Sequence, residues 1–142
     1  MVKKQKEKKK IIVSLGKRKN AVAKAKIVEG SGKIRINSKP FSLWGNDFLR
    51  MRIKEPLMLS GDLVNKVDID VNVRGGGTTG QVESVRMAIA QGLLKFSKDK
   101  KLKQRFLSYD RNLLVFDPRR NEPHKPSRSK AGPRRHKQRS KR

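Results

Sequence analysis

Eleven lysines and arginines, seven of them arginine, stand in residues 118–142 against a single glutamate. The chemistry open to such a set is phosphate recognition: a guanidinium offers a planar fork of donors that grips two oxygens together, and an ammonium adds a compact charge. A second cationic group, Lys17, Arg18 and Lys19, is flanked by Gly16 and Asn20. Other reactive side chains are sparse. Asp68 and Asp70 are two apart and would share one face of a strand, but a solvated face, or one paired with Lys24, Lys26 and Arg35, suits them better than a metal site does. His124 and His136 lie within the basic tail with no cysteine or carboxylate arranged to join them, and read as polar groups that hydrogen-bond RNA, not as ligands or bases. No serine sits between elbow glycines. Neither an enzyme, nor a metal site, nor a cofactor is expected, and no small-molecule substrate.

The glycine block Gly75, Gly76, Gly77, Thr78, Thr79, Gly80 leaves two readings open. One is a loop whose backbone N–H groups meet an RNA phosphate at a helix N-terminus. The other is a tight turn that needs positive φ or close backbone approach. A nucleotide-binding loop is disfavoured because no Gly-Lys-Ser/Thr follows.

Charge carries the same message along the whole chain. The formal net charge is +26 over 142 residues, divided as +5 in residues 1–10, +11 in 11–117 and +10 in 118–142. Even the middle segment stays basic, so its self-repulsion would be relieved by a polyphosphate. No stretch combines this charge with a continuous amphipathic face, which disfavours a membrane surface. Cysteine is absent, which removes disulfides and thiolate chemistry and fits an intracellular protein. After the lysine-rich start only Ile11, Ile12, Val13, Ser14 and Leu15 follow, too short for a signal-peptide core. Three regions are expected: a disordered lysine-rich arm (1–10), a globular domain (11–117) and an extended basic tail (118–142).

The elements that must hold these groups are legible from periodicity. Ile11, Val13 and Leu15 alternate with less apolar neighbours, and Ala21, Ala23, Ala25 and Ile27 oppose Lys24 and Lys26 in parity. Glu29-Gly30-Ser31-Gly32 supplies a turn, so residues 21–37 read as a hairpin with a cationic face. From Asn46 the period becomes helical, with a break expected near Glu55 because Pro56 follows. Val67, Ile69, Val71 and Val73 alternate with polar residues as the clearest strand. Val82, Val85, Ile89, Leu93 and Phe96 predict a helix of about 17 residues, in which Ala88, Ala90 and Gly92 permit close approach to a sheet. Asp99 suits the cap of a further helix sharing Leu102 and Phe106, and residues 113–116 read as briefly extended. The order predicts a two-layer α/β sandwich of the α+β kind with one exposed sheet face. All seven aromatics lie between Phe41 and Phe116, so neither basic arm carries a stacking platform. Phe41, Trp44 and Phe48 are expected in the core, and RNA recognition is expected through phosphate and shape.

Four blocks carry a resemblance. Gly16-Lys17-Arg18-Lys19-Asn20-Ala21-Val22-Ala23, Gly32-Lys33-Ile34-Arg35-Ile36-Asn37, the stretch from Gly75 to Gln81, and the closing Ser140-Lys141-Arg142 occur in an order that resembles the family of the ninth protein of the small ribosomal subunit. The likeness covers about residues 11–142. Leu113-Leu114-Val115-Phe116-Asp117-Pro118-Arg119-Arg120 is similar to the archaeal and eukaryotic branch.

The resemblance implies a fold with a left-handed strand-helix-strand crossover, against a general preference of about 98% for the right-handed one. It implies a structural, cytoplasmic protein of the subunit head, packed among neighbouring head proteins on the 3′ major domain of small-subunit rRNA. It further implies that the tail reaches the anticodon stem-loop of P-site tRNA. An extended chain of 25 residues spans roughly 80 Å, enough for such reach. By the resemblance Ser140, Lys141 and Arg142 contact tRNA, and Lys17, Arg18 and Lys19 bind rRNA. The tail cations Arg119, Arg120, Lys125, Arg128, Lys130, Arg134, Arg135, Lys137 and Arg139 match in character and are assigned to rRNA. The alternative is an architectural DNA- or RNA-binding protein outside the ribosome.

Overall fold

Strands β1 (Ile12–Arg18) and β2 (Ala21–Glu29) are joined by the two residues Lys19 and Asn20, with Arg18 opposite Ala21. Lys19 takes a left-handed φ of 52°, as so short a connection demands. The computed structural model describes residues 10–123. Along β2 the alternation works as predicted: Ala21, Ala23, Ala25 and Ile27 are buried, while Val22, Lys24 and Lys26 face out.

The expected hairpin over residues 21–37 does not form. Strand β3 (Ile34–Ile36) pairs with β5 (Val67–Arg74), which lies between it and β2, giving the order β1-β2-β5-β3-β4 with β4 at Lys39–Pro40. β5 is apolar on every inward position and runs antiparallel to β2 over eight residue pairs, whereas β3 has only three residues to offer. The longer partner wins the central place. Asp68 secures the arrangement, since its Oδ1 accepts from the N–H groups of Ser31 and Lys33 at 2.9 and 3.0 Å. Asn37 prolongs the parallel β3–β5 ladder with its side-chain amide, accepting from Val73 N–H at 2.8 Å and donating to Val73 C=O at 3.2 Å.

Helix α1 (Asp47–Ser60) runs straight through the predicted break, with Pro56 buried inside it. Pro56 removes one N–H, yet it is buried in the helix as Ile53 and Leu57 are, and Ser60 Oγ donates to the Pro56 C=O at 2.6 Å. Helical phase also corrects the aromatic expectation. Phe41, Trp44 and Leu49 pack on the core, while Phe48, one step out of phase with Leu49, points to solvent. A 3₁₀ stretch, Gly61–Lys66, leads into β5.

Helix α2 (Thr78–Ser97) is 20 residues long, and every residue from 84 to 90 is buried. Such a helix must be covered on all sides. One side lies against the sheet at very short range: a Cβ on Gly16 would collide with Ser84 O, and one on Gly92 would meet Ile27 Cδ1 at 2.5 Å. Ser14 Oγ closes this seam by donating to Ala88 C=O at 2.6 Å. The other side is covered by α1 and by α3 (Lys100–Tyr109), where Ala90, Leu102, Phe106 and Leu113 form a second small core. Asp99 caps α3 as expected, its Oδ1 accepting from Lys101 N–H at 2.8 Å. The segment expected to be extended after it begins instead as a 3₁₀ turn, Arg111–Leu113, because Asp110 Oδ1 accepts from Asn112 N–H at 2.8 Å and starts a turn there. Among the described residues no helix is long and apolar enough to cross a membrane.

Candidate nucleic-acid interface

The β1–β2 turn, the N-terminus of α2 and the start of the tail converge on one cleft of about 310 Å³. Lys17, Arg18, Lys19, Arg52, Arg86 and Arg119 line it together with Glu83, Asp110 and Asp117. The sequence groups at positions 17–19 and 119, far apart in the chain, are therefore neighbours. Lys17 and Lys19 are exposed, and among the described residues neither has an ion-pair partner. They are the two cations of the cleft with no carboxylate beside them.

Arg18 and Arg119 are differently placed. Both hold Asp117: Arg18 Nη1 lies 2.8 Å from Asp117 Oδ2, and Arg119 donates to the same carboxylate from its backbone N–H, Nε and Nη2 at 2.7–3.1 Å. These hydrogen bonds, first from the Arg119 side chain, then from its backbone, and the nearby charges hold the Asp117 carboxyl well below the usual carboxylate range. Arg120 stacks over the Phe116 ring, 5.2 Å from its centroid. Composition and spacing missed Asp117 as a site residue. Its signal was local, an aspartate two residues before an arginine across a proline; its ion pair with Arg18 depends on tertiary structure.

Arg86 was also missed. It is 5% exposed and meets Glu83 at 3.0 Å and Asp110 at 2.9 Å, and also contacts Glu55. Burial alone would lower its pKa, but the three carboxylates outweigh burial and raise it above the usual value. It stays a fully charged pin beneath the cleft, joining α1, α2 and the end of α3. Arg52 shares Glu83 at 2.8 Å.

The glycine block meets the β1–β2 turn. Gly75 and Gly76 take φ of 74° and 65°, and a Cβ on Gly75 would lie 2.6 Å from Asn20 O. That geometry accounts for both glycines by backbone packing, with Gly77, Thr78, Thr79 and Gly80 opening α2 beside the cleft. On the open sheet face the register sets Asp70 between Lys26 and Arg35, though among the described residues it forms no ion pair with either, and Asp68 serves the turn before β3. Among the described residues no group of acidic or histidine side chains is arranged to hold a metal. Lys125, Arg128, Lys130, Arg134, Arg135, Lys137, Arg139, Ser140, Lys141 and Arg142, with His124 and His136, lie outside the described residues.

Comparison with known proteins covers most of the chain. The small ribosomal subunit protein uS9 of Methanococcus vannielii is 47% identical over 131 residues, covering 92% of this chain and 98% of that protein. Its counterpart in Methanococcus maripaludis is 46% identical over the same span and shares. The family described as ribosomal protein S9/S16 matches residues 16–142, a span that begins at the glycine packed on α2 and takes in the cleft and the tail; the chain belongs to that family.

Proposed function

We propose that this chain is a structural, non-catalytic constituent of the small ribosomal subunit, bound to small-subunit rRNA in the cytoplasmic ribosome. The observation that carries the reading is the meeting of Lys17, Arg18, Lys19 and Arg119 at one cleft, at the point where the basic tail departs. An RNA backbone laid across this cleft would meet the two exposed lysines first, and the backbone of the tail starts beside it. Affinity then rests on phosphate contacts and counterion release. The cationic positions Lys24, Lys26 and Arg35 on the open sheet face extend the same potential.

The finer assignment places the protein in the subunit head on the 3′ major domain, beside other head proteins. Residues 118–142 then run toward the decoding region so that Ser140, Lys141 and Arg142 meet the anticodon stem-loop of P-site tRNA. The lysine-rich start, residues 1–9, lies outside the described residues. Support comes from relatives matched nearly end to end and from the tail's eleven cations. The parallel neighbours β3 and β5, linked through α1, are the pair that the family's left-handed crossover would join.

Deleting Ser140, Lys141 and Arg142 tests the reading. The truncated chain should stay with the small subunit through a sucrose gradient at salt above physiological, while P-site tRNA dissociates faster. Unchanged tRNA dissociation would remove the tRNA assignment. A chain that leaves the ribosomal peak, or follows DNA, would remove the ribosomal one.

A further inference from the structure

We propose that Asp117 is a positioning residue for RNA binding: it holds Arg18 and Arg119 on the cleft wall and so fixes the direction in which the tail leaves the domain. The proposal rests on the rRNA-binding reading above and adds how the site is kept ready.

The geometry is that of a latch between a rigid element and the root of a long segment. Arg18 is the last residue of β1, held by its pairing with Ala21 and by a two-residue turn that leaves no slack. Asp117 takes that guanidinium at 2.8 Å on Oδ2. The same carboxylate accepts from Arg119 backbone N–H at 3.0 Å and from the Arg119 side chain, closing a turn around Pro118. Pro118 itself has its φ set by its ring. Arg120 then lies over Phe116. Positions 116–120 are thus each restrained by ring geometry, ring stacking or the carboxylate, just ahead of a segment rich in charge.

Enclosure by its partner arginines separates this carboxylate from an ordinary surface ion. The Asp117 side chain is 11% exposed and Arg18 20%, whereas Arg119 is 75% exposed. Asp117 is thus enclosed by its partners while Arg119 keeps a wide face open to solvent. A phosphate would meet a guanidinium already oriented. Without the carboxylate, both arginines and the tail root would have to be ordered at the moment of binding, and long side chains lose much freedom when that happens.

Simple electrostatics predicts the opposite sign, which makes the idea testable. Removing one negative charge from a cationic cleft should tighten RNA binding, whereas losing the latch should weaken it. The test uses the full chain with Asp117→Asn, and with Arg18→Gln as a second variant that breaks the latch from the other side. The protein contains no cysteine, so spin labels on Gln104→Cys and Asn121→Cys report the tail root against α3 alone. The expected result is a narrow distance distribution in the otherwise unaltered chain and a broad one in both variants. With an in-vitro transcript of small-subunit rRNA at fixed salt, Asp117→Asn should bind roughly fivefold more weakly. Equal or tighter binding by Asp117→Asn, or distance distributions as narrow as in the unaltered chain, would overturn the proposal. If the unaltered chain itself fails to bind the transcript, the rRNA reading falls and the positioning role falls with it. A narrow-to-broad change in the distances would then mark the carboxylate as a tail restraint only.

Discussion

Replacing Arg86 by methionine removes the one guanidinium that three carboxylates share beneath the cleft. Arg86 is 5% exposed, and Glu83, Glu55 and Asp110 are 19%, 26% and 28% exposed in their side chains. Breaking a buried ion pair by deleting one partner costs about 3–5 kcal/mol, because the remaining charge is left uncompensated. Here the carboxylates keep some access to water and Glu83 retains Arg52 at 2.8 Å, so the lower end applies, about 3 kcal/mol. For a folded part of this size that corresponds to a fall in Tm of about 12 °C, at about 4 °C per kcal/mol. Thermal unfolding of the free chain by circular dichroism reads it directly. The reasoning has a second arm. If the cost comes from stranded carboxylates, adding Glu55→Gln and Asp110→Asn to Arg86→Met should restore a large part of the loss, since Met fills the space and two of the three charges are gone. A fall of less than about 4 °C in the single variant, or no recovery in the triple one, would refute the account of Arg86 as a charge-satisfied pin.

Gly16→Ala should destabilise the domain by roughly 3 kcal/mol, because the new methyl group meets the backbone of α2 at Ser84 and Ala88, which cannot rotate away; a urea midpoint within error of the unaltered chain would contradict the close seam. The Asp117 latch should be insensitive to mild acid. Its folded-state pKa is depressed below the ordinary 3.8, so its contribution is fully present above that value and is lost only as pH falls through the lower, folded one. The spin-label distances between positions 104 and 121 should accordingly be the same at pH 7 and pH 4.5, and broadening already at pH 4.5 would show that the carboxylate is not held as described.

Periodicity determined a good deal of this protein. The alternation in β2 and β5, the small residues of α2 and the cap at Asp99 are local facts, and each element appeared where its pattern placed it. The cationic character of the partner surface was equally plain, because net charge needs no fold to be counted. Pairing was another matter. Nothing in residues 21–37 announces that β5, thirty positions onward, will separate β2 from β3; that choice belongs to the longer apolar strand competing for the centre of the sheet. Pro56 looked like a break because its missing N–H is a local cost, and only the core around Ile53 and Leu57 supplies the burial that outweighs it. The cleft shows the same division. The basic groups at 17–19 and 119 were legible by type, but their meeting, and the Asp117 carboxylate between them, exist only once β1 and the tail root are brought together. Residue type decides what a side chain can do with a phosphate. Long-range packing, which depends on which distant surfaces fit, decides which of those side chains are already spoken for.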